Sequence, residues 1–350
     1  MNAASGLLHA SIVTMAVGLA HGAPDEDSLG KANGYPVAPR QALASQERYR
    51  VGSFSAMDSI APHCKLDPSV DPLPLRQAAS ETDFSYRMDG QTRTLDDYMA
   101  RQRVTSLLVL KDGEIVAERR NYDRKAGHRM LSNSMAKTIV ALAIGKALEE
   151  GLIRSLDDTA AQYDPMLADT LYGNTRLINL LRMASGAKYV EDYSGQDDHA
   201  RFNRAAAKNG MADAARAITE RVAPEGNLFN YASAETNMLG LVLRGATKQT
   251  LCRYVSEKIW QPMGAESGAS WLINPAGQTE YAAGSFNATV RDYARLGWLM
   301  ANDGQRDGKP VVAKDWLLRM TDASQQPEAF RPGKLNNRGS TYLGYGLQTW

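Results

Sequence analysis

The sequence predicts a mixed α/β fold: an antiparallel sheet element followed by a core helix and an inserted helical lobe. Three stretches carry that expectation. TSLLVLKDGEIVAERRNY pairs two apolar, β-prone runs around Asp112-Gly113, the dipeptide that suits a type I′ hairpin turn. Directly after it comes HRMLSNSMAKTIVALAIGKAL, whose centre IVALAI is apolar on every side, the mark of a helix buried all round. From about 155 to 275 the signals are mostly helical, in LINLLRMASG, MADAARAITERVA, AETNMLGLVLRGA and LCRYVSEKIWQPMG.

In chain order, residues 1–23 read as a signal peptide, a moderately apolar stretch ending in small residues before an acidic, Pro-containing segment. No Lys or Arg precedes the apolar run and His9 interrupts it, so a cytosolic leader is the alternative to export into the periplasm or beyond. Residues 24–80, rich in Pro, Ala, Ser and charge, read as an extended N-terminal arm. Residues 81–350 form the main domain. It opens on a short helix at TLDDYMARQR; Glu149, Glu150 and Gly151 end the buried helix. Downstream, GSFNATVRDYARLGWLMANDG and KDWLLRMTDA each supply an amphipathic helix, and TYLGYGLQTW reads as a strand.

Composition narrows the function. The 350 residues are 43% hydrophobic, and 40 Lys plus Arg balance 39 Asp plus Glu. There is no basic footprint for nucleic acid, and no apolar run is long enough for a membrane span. Two cysteines, Cys64 and Cys252, cannot make a disulfide framework, and their positions leave pairing open. Five histidines (9, 21, 63, 128, 199) in no triad setting, and no G-x-S-x-G elbow, argue against a His-dependent hydrolase or a metal site. No cofactor is implied, and oligomeric state is left open.

The candidate chemistry sits in SNSMAK. Ser-x-x-Lys occurs three times, at Ser28/Lys31, Ser134/Lys137 and Ser185/Lys188. The first lies in the arm and the last includes Gly186 at a helix end, which reads as a cap and turn. At Ser134/Lys137 the three-residue spacing puts both side chains on one helical face. A helix N-terminus favours an alkoxide there, and apolar flanks lower the lysine's pKa toward that of a general base. The alternative is an N-cap serine, Ser132 or Ser134, with a lysine that snorkels outward. Both readings stand on the hexapeptide alone.

Downstream companions favour the first. EGNLFNYASAETNMLGLVL places Tyr231-Ala232-Ser233 before an apolar helix. A tyrosine beside a lysine can shuttle a proton between nucleophile and leaving group; otherwise Tyr231 is a buried aromatic and Ser233 a helix cap.

With these blocks in this order, the chain resembles the serine β-lactamase-related family, which spans penicillin-binding carboxypeptidases, class C β-lactamases, related esterases and 6-aminohexanoate-dimer hydrolases. SNSMAK matches its Ser-x-x-Lys block. EEGLIRSLDDTAAQY, LINLLRMASGAKYVEDY, FNYASAETNMLG and AAGSFNATVRDYARLG match later segments, so the likeness covers about residues 90 to 350. The resemblance implies an antiparallel sheet flanked by helices plus the inserted lobe. It also implies hydrolysis of a small amide or ester through an acyl group on Ser134, with Lys137 as base, Tyr231 as proton relay and the Ser134 N–H as half of an oxyanion hole. Ser233 stands where many β-lactamases have asparagine, which is similar to the aminohexanoate hydrolase and esterase branch. Ser233, Tyr193 and Asn287 are the substrate-binding candidates. Alternatives are a β-lactamase, a penicillin-binding D,D-peptidase-like protein, or a degenerate member without catalysis. The family's strand with a Lys-Thr-Gly or His-x-Gly block is not found before Trp350, so the domain is expected to be C-terminally incomplete.

Overall fold

The computed structural model describes residues 25–335 and 343–350; the expected leader at 1–23, and Thr341 and Tyr342 of the expected final strand, lie outside the described residues. The segment expected to be an extended arm is instead folded onto the body. It forms short turns and helix α1 (Glu47–Ser53), then strand β1 (His63–Leu66). Ala38, Ala44, Met57 and Ala61 bury against Leu272, and Leu29, Tyr35 and Val51 against Tyr122. These are isolated anchors in turn-rich sequence, so no periodicity announced them.

Next come β2 (Arg76–Gln77), β3 (Ser85–Met88), β4 (Gln91–Thr94), helix α2 (Leu95–Arg101), β5 (Ser106–Lys111) and β6 (Glu114–Arg120). A capping box between Thr94 and Asp97 starts α2. The β5–β6 hairpin turns as expected: Asp112 and Gly113 have φ of 51° and 82°, both positive as a type I′ turn requires. With β2 these strands make a three-stranded sheet, and β3 pairs with β4.

Strand β7 (Arg129–Leu131) leads through one tight turn into α3 (Ala136–Glu149). Ten of the fourteen residues of α3 are buried, among them Ile139, Val140, Leu142 and Ile144 at 1% exposure or less; each such side chain contributes about 1.5–3 kcal/mol relative to exposure. Gly151, at φ 70°, lets the chain leave the helix in a left-handed conformation. The lobe follows as α4 (Leu177–Leu181), α5 (Asp198–Asn209), α6 (Met211–Arg216), α7 (Ser233–Thr247) and α8 (Leu251–Val255), which widens into a π-helical turn over Ser256–Trp260. α7 packs on α3 and α4, so lobe and body share one core.

The lobe ends sooner than the expected residue 275, because β8 (Ala269–Leu272) belongs to the main sheet. β9 (Phe286–Thr289), α9 (Val290–Ala301), a two-residue hairpin of β10 (Gln305–Arg306) and β11 (Lys309–Pro310), and α10 (Lys314–Thr321) complete the order. The main sheet is antiparallel, in the order β1-β8-β9-β7. Cys64 on β1 and Cys252 on α8 form a disulfide with Cα atoms 6.2 Å apart, which ties the sheet's outer strand to the lobe.

Residues 343–350 are not the expected strand; they form irregular turns. Its glycines serve close approach to other parts of the chain. A Cβ on Gly346 would stand 1.8 Å from Met320 O, and one on Gly344 2.8 Å from Pro332. Tyr345 and Leu347 are buried, and Gln348 donates to the carbonyls of Leu180 and Leu181 at 3.0 and 3.2 Å. Among the described residues no helix is long and apolar enough to cross a membrane.

Candidate active site

Ser134 stands in the turn between β7 and α3. β7 pairs with β9, and Ser132 N–H donates to Phe286 O at 2.7 Å, which pins the turn to the sheet. Asn133 takes φ 44°, a left-handed value that asparagine tolerates better than most residues. The capping alternative is not realised. Neither Ser132 nor Ser134 caps the helix, the Ser132 hydroxyl donates to Asn133 O at 2.8 Å, and Lys137 is 2% exposed instead of reaching solvent.

Three oxygens surround the Lys137 amine. Nζ lies 3.1 Å from Ser134 Oγ, 3.0 Å from Ser233 Oγ and 2.7 Å from Ala283 O. Its pKa is pushed down from 10.5 to about 8, first by burial, with the negative charge of Glu191 working the other way. That value suits a base operating near neutrality.

Each partner is held by a separate element. Ser233 opens α7, and Asn237, one turn on and on the same face, accepts from Ala283 N–H at 3.1 Å. Ala283 is thereby gripped at both backbone groups, by Asn237 and by Lys137. The Trp271 indole N–H donates to Tyr281 O and Gly284 O at 2.9 and 2.8 Å and fixes the rest of that loop. Glu191 accepts from Ser233 N–H and Ser233 O–H, both at 2.6 Å.

The other predicted residues fall in different places. Tyr231 lies beside the lysine, which sits 5.0 Å from its ring centroid, and stacks on Trp350 at 5.7 Å; this contact is through the ring face. Tyr193 is 67% exposed at the cleft mouth and donates to Glu191 Oε1 at 3.0 Å. Asn287 requires correction. It lies in β9 at 1% exposure, behind the cleft, and its amide donates to Ser285 O at 2.9 Å; it braces the loop and does not line the cavity. The rival serines are occupied elsewhere: Ser28 donates to Asp25 O, Lys31 pairs with Glu26, Ser185 donates to Glu235 and Lys188 pairs with Glu220.

A cleft of about 500 Å³ opens over Ser134. Its walls combine Phe54 and Tyr281 with Glu191, His199, Asn203 and Ser285, none of which the sequence singled out. Glu191 and Asn237 stood inside segments that matched the family, yet neither has a spacing signature of its own. Ser285 has φ 64°, a left-handed conformation seldom taken by serine. Among the described residues the one group able to ligate a metal is Cys64, Cys252 and Glu280; its sulfurs are bonded to each other, so it lacks the thiolates that a metal needs.

A hydroxyl and a buried amine thus stand three residues apart, 3.1 Å from one another, with the hydroxyl at an open cleft. The chain belongs to the Beta-lactamase family, whose model matches residues 92–349. It is 25% identical over 298 residues to the 6-aminohexanoate-dimer hydrolase of Paenarthrobacter ureafaciens, covering 82% of this chain and 73% of that protein. The solved structure of a candidate 6-aminohexanoate-dimer hydrolase from Bacillus anthracis superposes with a TM-score of 0.76 at 24% identity, over 89% of this chain and 82% of that one. The octameric penicillin-binding protein homologue from Pyrococcus abyssi has the same fold at a TM-score of 0.51 and 19% identity, over 73% and 62% of the two chains.

Proposed function

We propose that this hydrolase cleaves a small linear amide or ester through an acyl group carried on Ser134. The observation that carries the reading is the buried Lys137 amine 3.1 Å from Ser134 Oγ, with a pKa of about 8. The neutral amine takes the proton of Ser134 as Oγ bonds to the substrate carbonyl carbon, and the carbonyl π electrons move to oxygen. The tetrahedral intermediate then collapses, the C–N or C–O bond breaks, and the leaving group receives the proton from Lys137, directly or through the Tyr231 hydroxyl. Water attacks the acyl ester with Lys137 again as base, which releases the acid and restores Ser134.

The Ser134 backbone N–H, just ahead of the positive end of α3, is suited to the developing oxyanion. The likeness to 6-aminohexanoate-dimer hydrolase supports a linear amide. The disulfide between Cys64 and Cys252 supports export to an oxidising compartment, which fits a periplasmic or secreted protein.

The test uses the parent and Ser134→Ala with a p-nitrophenyl ester, a linear 6-aminohexanoate amide and a chromogenic cephalosporin. Turnover of ester or amide that disappears with Ser134→Ala is the expected result. Turnover unchanged by that substitution would sink the assignment. Cephalosporin turnover alone, or labelling by a fluorescent penicillin without turnover, would move the protein to the β-lactamase or penicillin-binding reading.

A further inference from the structure

Glu191 sits one residue beyond the reacting pair, and its surroundings restrict what it can do. Three donors converge on its carboxylate: Ser233 N–H at 2.6 Å to Oε2, Ser233 O–H at 2.6 Å to Oε1, and Tyr193 O–H at 3.0 Å to Oε1. The side chain is 2% exposed, and His199 Nδ1 on α5 lies 3.8 Å from Oε2. Lys137 in turn faces Glu191 and the ring of Tyr231.

The backbone amide of Ser233 can only donate, and so can a hydroxyl proton, so the site calls for a pure acceptor. With its single proton committed to Glu191, Ser233 Oγ can only accept from Lys137, at 3.0 Å. Ala283 O, at 2.7 Å, also only accepts. A neutral amine has two N–H bonds and one lone pair. Both N–H bonds are thereby assigned, and the lone pair is left for the proton of Ser134 at 3.1 Å.

We propose that Glu191 is a positioning residue that fixes the direction of the Ser233–Lys137 hydrogen bond and so aims the lysine lone pair at Ser134. The inference rests on Lys137 being the base for Ser134. Glu191→Gln tests it with almost no change of shape. The glutamine carbonyl must face Ser233 N–H, so its NH₂ faces Ser233 Oγ. The hydroxyl then turns and donates to Lys137, taking the lone pair that Ser134 needs.

The readout is the burst of p-nitrophenolate from a p-nitrophenyl ester, followed against pH in the parent, Glu191→Gln, Ser233→Ala and the double variant. Glu191→Gln is expected to slow acylation at least ~10-fold on the alkaline plateau, chiefly in kcat with little change in KM. Its acid limb should move to lower pH, because a negative charge near Lys137 is gone. In the Ser233→Ala background there is no hydroxyl to turn, so the same glutamine should cost less than about 3-fold while the limb still moves. Equal losses in both backgrounds, or an unmoved limb, would overturn the proposal.

If Glu191→Gln does not fold, Ser233→Ala decides the matter. A rate within about 3-fold of the parent would show that the direction of the Ser233 bond is irrelevant and end the proposal; a loss of ~10-fold or more with an unshifted limb supports it. Ser134→Ala separates the layers. If it remains active, the reading of the site has failed; if it is inactive while the cycle is additive, only the role of Glu191 falls.

Discussion

The protonation of Lys137 gives the sharpest quantitative expectation. With a pKa of about 8, about one molecule in ten carries the neutral amine at pH 7, half do at pH 8, and nearly all at pH 9. If that amine is the base, the acylation rate should climb with unit slope below pH 8 and level off above it, rising about tenfold between pH 7 and 9. Lys137→Ala should remove the limb and cost about 10²–10⁴ in rate, the usual contribution of a positioned general base. Stopped-flow bursts of p-nitrophenolate between pH 6 and 9.5, corrected for spontaneous ester hydrolysis, measure both effects. A flat profile over that range, or a limb centred near the ordinary lysine value of 10.5, would refute the argument that burial activates the amine.

The same burial has a stability consequence. The folded-state pKa lies below the unfolded value, so between about pH 8 and 10.5 the unfolded chain binds more protons and stability rises with pH through that window. Lys137→Met lacks this slope, and urea titrations should find its stability difference from the parent changing by about 2–3 kcal/mol between pH 7 and 10. Gly145→Ala should destabilise by about 1–3 kcal/mol despite alanine's better helix propensity, because the new Cβ would stand 2.2 Å from the Trp316 ring that bonds to Ala141 O; thermal melting checks it. Cys252→Ala opens a link spanning 188 residues of sequence and should cost about 2–5 kcal/mol, with dithiothreitol lowering the parent's Tm but not the variant's.

Local signals were readable where neighbours in sequence are neighbours in space. The Asp112-Gly113 turn, the all-round apolar α3 and the Ser134/Lys137 spacing are of this kind, and each formed as expected. What a residue meets across the fold was hidden. β1 completes the sheet by pairing with β8, some 200 residues away, and Ala283 contributes only a carbonyl, which any residue could supply. Glu191 reads as one more acid in VEDY until Ser233 is placed against it. Asn287 failed for a related reason: GSFNAT reaches the site through Ser285, while Asn287, two residues further and inside β9, is paired with Leu131 and Ser270. The final segment misled because glycine within a strand-like run often marks a chain pressed against other backbone, as Met320 and Pro332 press on Gly346 and Gly344 here.

Because α3 is enclosed on all sides, the base does not ride on a part of the molecule that can open by itself. Amides of such a helix exchange with solvent only when the whole core comes apart, so those around Lys137 should rank with the slowest in the protein, far behind those of Tyr193 and its exposed loop. Denaturant should therefore extinguish acylation along the same curve that melts the core, while a protease able to nick the cleft's rim would alter substrate selection well before it touched the chemistry.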